Sequence, residues 1–261
     1  MSFDLVLCGV GGQGVLSMAH VLDHTAVDAG FHLKQTEVHG MAQRGGAISA
    51  FVRMSEGPVL SDLIPEGQAR AVLSVEPLES LRYTKLLHPE GWVVTDVTPL
   101  RNIASYPDLS ALFEVLFRLP HLVAVDATKL ALKSGAMKAQ NMVVLGAASS
   151  LLPLPAALLE KHVRALFAPK GERLVNANLA AFRMGQAAGA MTAELVRRGV
   201  SQAAAARVVP RLDFEAAPVP DPVVAAWAQR LRKPDGAAVA AHVLASVDML
   251  PLEATVAATM R

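Results

Sequence analysis

The sequence predicts an α/β fold: a mostly parallel, Rossmann-like sheet with helices on both faces, followed by a C-terminal helical extension. Three observations carry this. Leu5-Val6-Leu7-Cys8-Gly9-Val10-Gly11-Gly12-Gln13-Gly14-Val15-Leu16 runs from an apolar stretch through a glycine cluster into an apolar-periodic segment, the order of strand, tight loop and helix. Short apolar stretches then alternate with helical periods through the first half of the chain. After Arg211 the composition shifts, and Asp213 to Pro222 reads as a linker into Ala-rich helical stretches. The division expected is residues 1–199 for the sheet domain and 200–261 for linker and extension, which would pack on a partner.

Phe3 to Cys8 is the first strand. Val15, Met18, Ala19, Leu22 and Ala26 give a helical period up to about Ala29, and Gly30 ends it. Phe31 to Val38 has strand character and is expected to close a βαβ unit. His39 to Gly46 is polar and glycine-rich, hence a loop. Ala47 to Met54 alternates as a strand, Ser55-Glu56-Gly57-Pro58 turns, and Arg70 to Val75 is a short strand. Glu76-Pro77 opens a helix, with proline in its first turn. Gly91 to Asp96 and His121 to Val125 are further strands, and Asp126-Ala127-Thr128 starts another helix. Helical patterns follow at Met137–Leu152, Ala156–Phe167 and Asn176–Arg198, with Asn176 and Asn178 as candidate N-caps of the last. Beyond Arg211 come Val223–Arg232 and Ala237–Val247.

Composition narrows the function. Lys+Arg at 24 against Asp+Glu at 23 leaves a net charge of +1, and aromatic residues are 5%. Neither favours a nucleic-acid surface. The single cysteine, Cys8, lies inside the first strand and reads as a small buried hydrophobe. One thiol cannot hold an iron–sulfur cluster, which needs about four. Met1-Ser2-Phe3-Asp4 has no basic n-region, so no signal peptide and a cytoplasmic location are expected. Mean hydropathy is +0.37, high enough to suggest a subunit interface.

Gly9, Gly11 and Gly14 satisfy G-x-G-x-x-G, and Glu37 lies where a nicotinamide-binding fold holds ribose hydroxyls. A stand-alone NAD(P)-dependent dehydrogenase is therefore one reading. That fingerprint does not call for the second glycine-rich loop, His39 to Gly46. There Arg44 is a clamp for phosphate or carboxylate, Gln43 and His39 both donate and accept, and Gly45 and Gly46 allow close approach. His20 and His24, at i and i+4, suggest a metal pair, yet no third ligand is evident and no metal is expected. Asn141, early in an apolar helix, is expected to bond backbone. No nucleophile-elbow context and no Gly-Asp step of a thiamine motif occur.

Gly9-Val10-Gly11-Gly12-Gln13-Gly14, then Thr36 through Ser49 and Val52-Arg53, resembles the gamma domain of the 2-oxoacid:ferredoxin oxidoreductases. Glu37-Val38-His39-Gly40-Met41-Ala42-Gln43-Arg44-Gly45-Gly46 is most similar to the beta subunits of the indolepyruvate-type enzymes. Gln140-Asn141-Met142, Leu145-Gly146-Ala147 and Asn176 through Gly185 extend the resemblance to roughly residues 3–190. It implies oxidative decarboxylation of an aryl 2-oxoacid with coenzyme A, giving aryl-acetyl-CoA, CO2 and reduced ferredoxin. It places thiamine diphosphate, magnesium and iron–sulfur clusters of the 4Fe-4S type on a larger alpha subunit. This chain holds no cofactor alone, and coenzyme A is a shared substrate. Two alpha and two beta chains are implied, with ferredoxin or another electron acceptor as partner. Gly9, Gly11, Gly12, Gln13, Gly14, Arg44, Gly45, Gly46 and Asn141 become cofactor-side candidates. His39, Gln43 and Arg44 become candidates for the substrate side.

Overall fold

The computed structural model describes residues 2–40, 45–101, 103, 105–245 and 249–252. Six strands form the sheet: β1 (Ser2–Val10), β2 (His32–His39), β3 (Ala47–Ser55), β4 (Ala69–Ser74), β5 (Leu87–Asp96) and β6 (Leu122–Val125). Their order is β2-β3-β1-β4-β5-β6. β1, β4, β5 and β6 run parallel, and β3 is antiparallel to both β1 and β2. The sheet is thus α/β and mostly parallel, with one strand reversed.

That reversed strand corrects the expected βαβ unit. β2 does not neighbour β1; β3 stands between them, nine residues in register with β1 from Ser2↔Ser55 to Val10↔Ala47. The physical reason is local. β2 and β3 are joined closely enough to pair as an antiparallel hairpin, and the hairpin docks as a unit through β3. β2 is left as the edge strand.

Side chains alternate across the sheet and fill two cores. Leu5 and Leu7 of β1 face the larger one, with α1 (Val15–Asp28) and the later helices. Val6 and Cys8 face the smaller one, beside α2 (Pro77–Arg82) and α3 (Leu109–Leu116). Gly30, at φ +85°, ends α1 as its sequence predicts. Pro77 occupies the first turn of α2, whose N-cap is Glu76. Asp126 caps α4 (Ala127–Lys133).

α5 (Gln140–Ala148), α6 (Ala156–Phe167) and α7 (Glu172–Arg197) build the outer layer of the larger core. α5 and α7 meet backbone to backbone: a Cβ on Gly146 would lie 1.9 Å from the Phe182 carbonyl oxygen, and one on Gly185 2.0 Å from that of Val143. α7 starts four residues before the expected Asn176, after Gly171. Asn176 and Asn178 are therefore helix-interior and cap nothing at its start. Asn178 is buried and donates to the Leu174 carbonyl at 2.8 Å, the i−4 bond open to a short amide inside a helix.

α8 (Gln202–Val208), α9 (Asp221–Leu231) and α10 (Gly236–Leu244) return to the body of the molecule. α9 packs on α7, and α8 on β6 and α10. The connection between α8 and α9 is anchored. Leu212 and Phe214 are buried in the larger core, as is Trp227 of α9. Lys133 of α4 pairs with Asp213 at 2.6 Å and Glu215 at 2.7 Å. Among the described residues no helix is long and apolar enough to cross a membrane.

Candidate functional site

The sheet has a switch point between β1 and β4. From β1 the chain crosses by α1 toward β2; from β4 it crosses by α2 toward β5. Loops that leave adjacent strands in opposite directions open a crevice at their C-terminal ends, where ligands of open α/β sheets bind. The glycine loop lies there.

Each residue of that loop has a mechanical reason. A Cβ on Gly9 would stand 2.4 Å from Val75 Cγ2. Gly12 and Gly14 have φ of +107° and +81°, a region that favours glycine. Gly14 is also the N-cap of α1, and its carbonyl accepts from the Met18 amide at 3.1 Å. Gln13 is a staple across the switch point. Its Oε1 accepts from the Val10 amide at 2.8 Å, and its Nε2 donates to the Val75 carbonyl at 2.8 Å.

The second glycine loop meets the first. The Gly11 amide donates to the Gly46 carbonyl at 2.8 Å, and the Gly45 amide to the Gly11 carbonyl at 3.2 Å. These two bonds carry the β1–β3 pairing past Val10↔Ala47. His39 ends β2 and is exposed. Gln43 and Arg44 lie outside the described residues.

Asn141, from 127 residues away, holds the loop from the helix side: its Nδ2 donates to the Gly14 carbonyl at 2.9 Å, and its Oδ1 accepts the Met142 amide at 3.0 Å. A Cβ on Gly14 would lie 2.6 Å from that Nδ2. The buried amide thus uses its bonds on the protein and fixes the entry to α1.

Glu37, the ribose-holding candidate of the dehydrogenase reading, sits on the edge strand opposite Ala50. With neighbouring strands ~4.8 Å apart, it stands about 10 Å from β1. Its carboxylate accepts from Gln35 Nε2 at 2.9 Å. A nicotinamide fold needs its acid on the strand beside β1, and here β3 fills that place.

Cys8 is fully buried, and burial pushes its thiol up to about 12. The protonated, enclosed thiol packs as a small core side chain, as its sequence position predicts. The His20 and His24 rings lie with centroids 4.1 Å apart, tilted by 40°, and His24 Nδ1 donates to the His20 carbonyl at 2.9 Å. His162 of α6 comes within 5.8 Å of His24 but bonds Asp28 at 2.9 Å. Among the described residues no group of three His, Cys, Asp or Glu side chains is arranged to hold a metal ion.

Two acids at the same sheet edge escape a reading of the sequence. Glu76 follows Val75 on the loop after β4, and Asp96 ends β5. Asp96 accepts from the Thr98 amide at 3.0 Å, the Ala127 amide at 3.0 Å and Thr128 Oγ1 at 3.0 Å. Burial outweighs those donors and raises its carboxyl to about 7. Its folded value lies above the unfolded one, so its stabilising contribution is complete below about pH 4 and is lost as pH rises through about 7. Asp96→Asn is expected to flatten that decline between about pH 4 and about pH 7, followed by denaturant unfolding across pH. An unchanged slope would contradict the assignment.

The sequence profile described as pyruvate ferredoxin/flavodoxin oxidoreductase matches residues 4–188. The chain belongs to this family. It is 35% identical over 193 residues to indolepyruvate oxidoreductase subunit IorB of Thermococcus kodakarensis, covering 70% of this chain and 94% of that protein. The IorB of Methanothermobacter thermautotrophicus is 34% identical over 197 residues, covering 73% and 99%. Among solved structures, a keto/oxoacid ferredoxin oxidoreductase gamma subunit from Geobacter sulfurreducens superposes with a TM-score of 0.51 at 23% identity, over 70% of this chain and 95% of that one. The 2-oxoglutarate:ferredoxin oxidoreductase of Magnetococcus marinus, solved with 2-oxoglutarate, coenzyme A and succinyl-CoA bound, gives 0.59 at 19% identity, over 72% of this chain and 31% of that one. These likenesses establish the fold. The family match ends before α8, so α8 to α10 lie outside it.

Proposed function

We propose that this member of the pyruvate ferredoxin/flavodoxin oxidoreductase family is the smaller subunit of an indolepyruvate-type oxidoreductase. The complex oxidatively decarboxylates an aryl 2-oxoacid: the bond to the carboxyl carbon breaks, CO2 leaves, two electrons pass to ferredoxin, and coenzyme A takes the acyl group as a thioester. The single observation that supports this most is the joined pair of glycine loops at the switch point, Gly11 to Gly45 and Gly46, in a chain whose relatives carry that name.

In this reading the chain covers the active site of a larger subunit and helps form the coenzyme A site. The family resemblance assigns thiamine diphosphate, magnesium and iron–sulfur clusters to that larger subunit, and the one cysteine here, buried, is too few thiolates for a cluster. Gly11, Gly12 and Gly14 keep backbone free of side chains where a ligand or the partner surface approaches. The N-terminus of α1 favours an anion there. Gln13 and Asn141 hold the loop in shape. We assign substrate-side roles to His39, Gln43 and Arg44, with Arg44 as the permanently charged group for an anion. Two copies of each chain assemble in the cytoplasm.

Arg44→Ala in the assembled complex tests the loop's role. The expected outcome is a loss of about 10-fold or more in kcat/KM for coenzyme A or the 2-oxoacid, the scale of a lost charge-assisted contact. Wild-type values for both would refute the role given to this loop.

A further inference from the structure

Glu76 lies across the switch point from the glycine loop. The carbonyl of its neighbour Val75 accepts from Gln13 Nε2 at 2.8 Å, so the two loops are one bond apart. The Glu76 residue is 1% exposed. A buried carboxylate is costly unless donors match it. Here three do: the Glu79 amide at 2.8 Å, the Leu100 amide at 3.3 Å and the Tyr106 hydroxyl at 2.5 Å.

The first of these caps α2. The other two come from the irregular segment that leaves the C-terminal end of β5, on the same sheet edge as the glycine loop. Thr98 adds a second anchor, its amide bonding Asp96 at 3.0 Å and its hydroxyl Asp126 at 3.3 Å. A segment with no regular structure of its own is thus fixed by buried acids. So held, it leaves Leu100, Arg101 and Ile103 at the surface. Burial and the nearby carboxylate raise the Tyr106 phenol, so it keeps its proton and donates.

We infer that the segment carrying Thr98, Leu100 and Tyr106 is a further wall of the crevice, and that Glu76, latched to the Tyr106 hydroxyl, is the positioning residue that sets this wall for coenzyme A. The inference rests on the function proposed above. An apolar and cationic edge beside an anion-favouring loop suits a ligand with both an apolar arm and phosphates. Glu76 acts through the segment and touches no reacting atom.

Two variants test it, Glu76→Gln and Tyr106→Phe, each with two readouts. In the full chain alone, hydrogen exchange of the peptide holding Leu100 is expected to quicken about tenfold in both, while that of α7 stays unchanged. In the complex with the larger subunit, KM for coenzyme A is expected to rise about fivefold, with kcat within about twofold of wild type. Tyr106→Phe, which removes one hydroxyl, keeps the test valid should Glu76→Gln fold poorly. Unchanged exchange in Tyr106→Phe would overturn the latch. Faster exchange with unchanged KM would overturn the crevice wall. A wild-type complex without coenzyme A-dependent turnover would instead overturn the function reading, and the latch would be judged by exchange.

Discussion

Gly185→Ala is expected to lower stability by more than about 3 kcal/mol, the upper range for overpacking a core. The added Cβ would stand 2.0 Å from the Val143 carbonyl oxygen, a backbone atom that no side-chain rotation can move aside. Gly146 and Gly189 make similar approaches, 1.9 Å and 2.2 Å from the carbonyl oxygens of Phe182 and Ala147. α5 and α7 would have to separate to admit the methyl group. α5 also carries Asn141, so separation would release the Gly14 carbonyl and loosen the glycine loop. Denaturant unfolding reads the effect. A loss below about 1 kcal/mol would contradict the backbone contact between the two helices.

Trp227→Ala carries the second large effect, an expected loss of about 3 to 5 kcal/mol for a fully buried aromatic. Trp227 is 0% exposed in the larger core, and its indole donates to the Leu252 carbonyl at 3.3 Å. The loss should appear in the single unfolding transition of the whole chain, because Leu212, Phe214 and Trp227 share that core with α7. A separate early transition with the main one unshifted would mean that α8 to α10 fold as an independent unit.

Much of the fold is legible along the chain because its signals are local. The strand–glycine–helix order at Leu5–Leu16, Gly30 as a helix stop, Pro77 in a first turn and Asp126 as a cap all act within a few residues. The insertion of β3 is not legible, since pairing partners decide strand order and no local period encodes them. Asn178 misleads for a related reason: a short amide suits both an N-cap and an i−4 bond, and burial chooses the second. α3 and α8 are only 8 and 7 residues long, too short for a clear helical period.

The site divides in the same way. The glycines and Gln13 stand out as a cluster in sequence, and so does the second loop. What holds them does not. Asn141 reaches Gly14 across 127 residues, and Gln13 reaches Val75 across 62. Glu76 reads locally as the start of a helix, while its other oxygen serves Tyr106, 30 residues on. Glu37 shows the reverse case, an acid at the expected spacing that the strand order moves away from the loop.

The most direct test of the central claim, that this chain completes an active site held by another, compares the chain alone with its complex. The purified chain and the chain co-purified with its larger subunit are each given indolepyruvate, coenzyme A and an oxidised ferredoxin. The account predicts ferredoxin reduction and indoleacetyl-CoA only from the complex, and no micromolar binding of NAD or NADP by the chain alone. Micromolar nicotinamide binding by the isolated chain, or a complex inert toward aryl 2-oxoacids with coenzyme A, would contradict it.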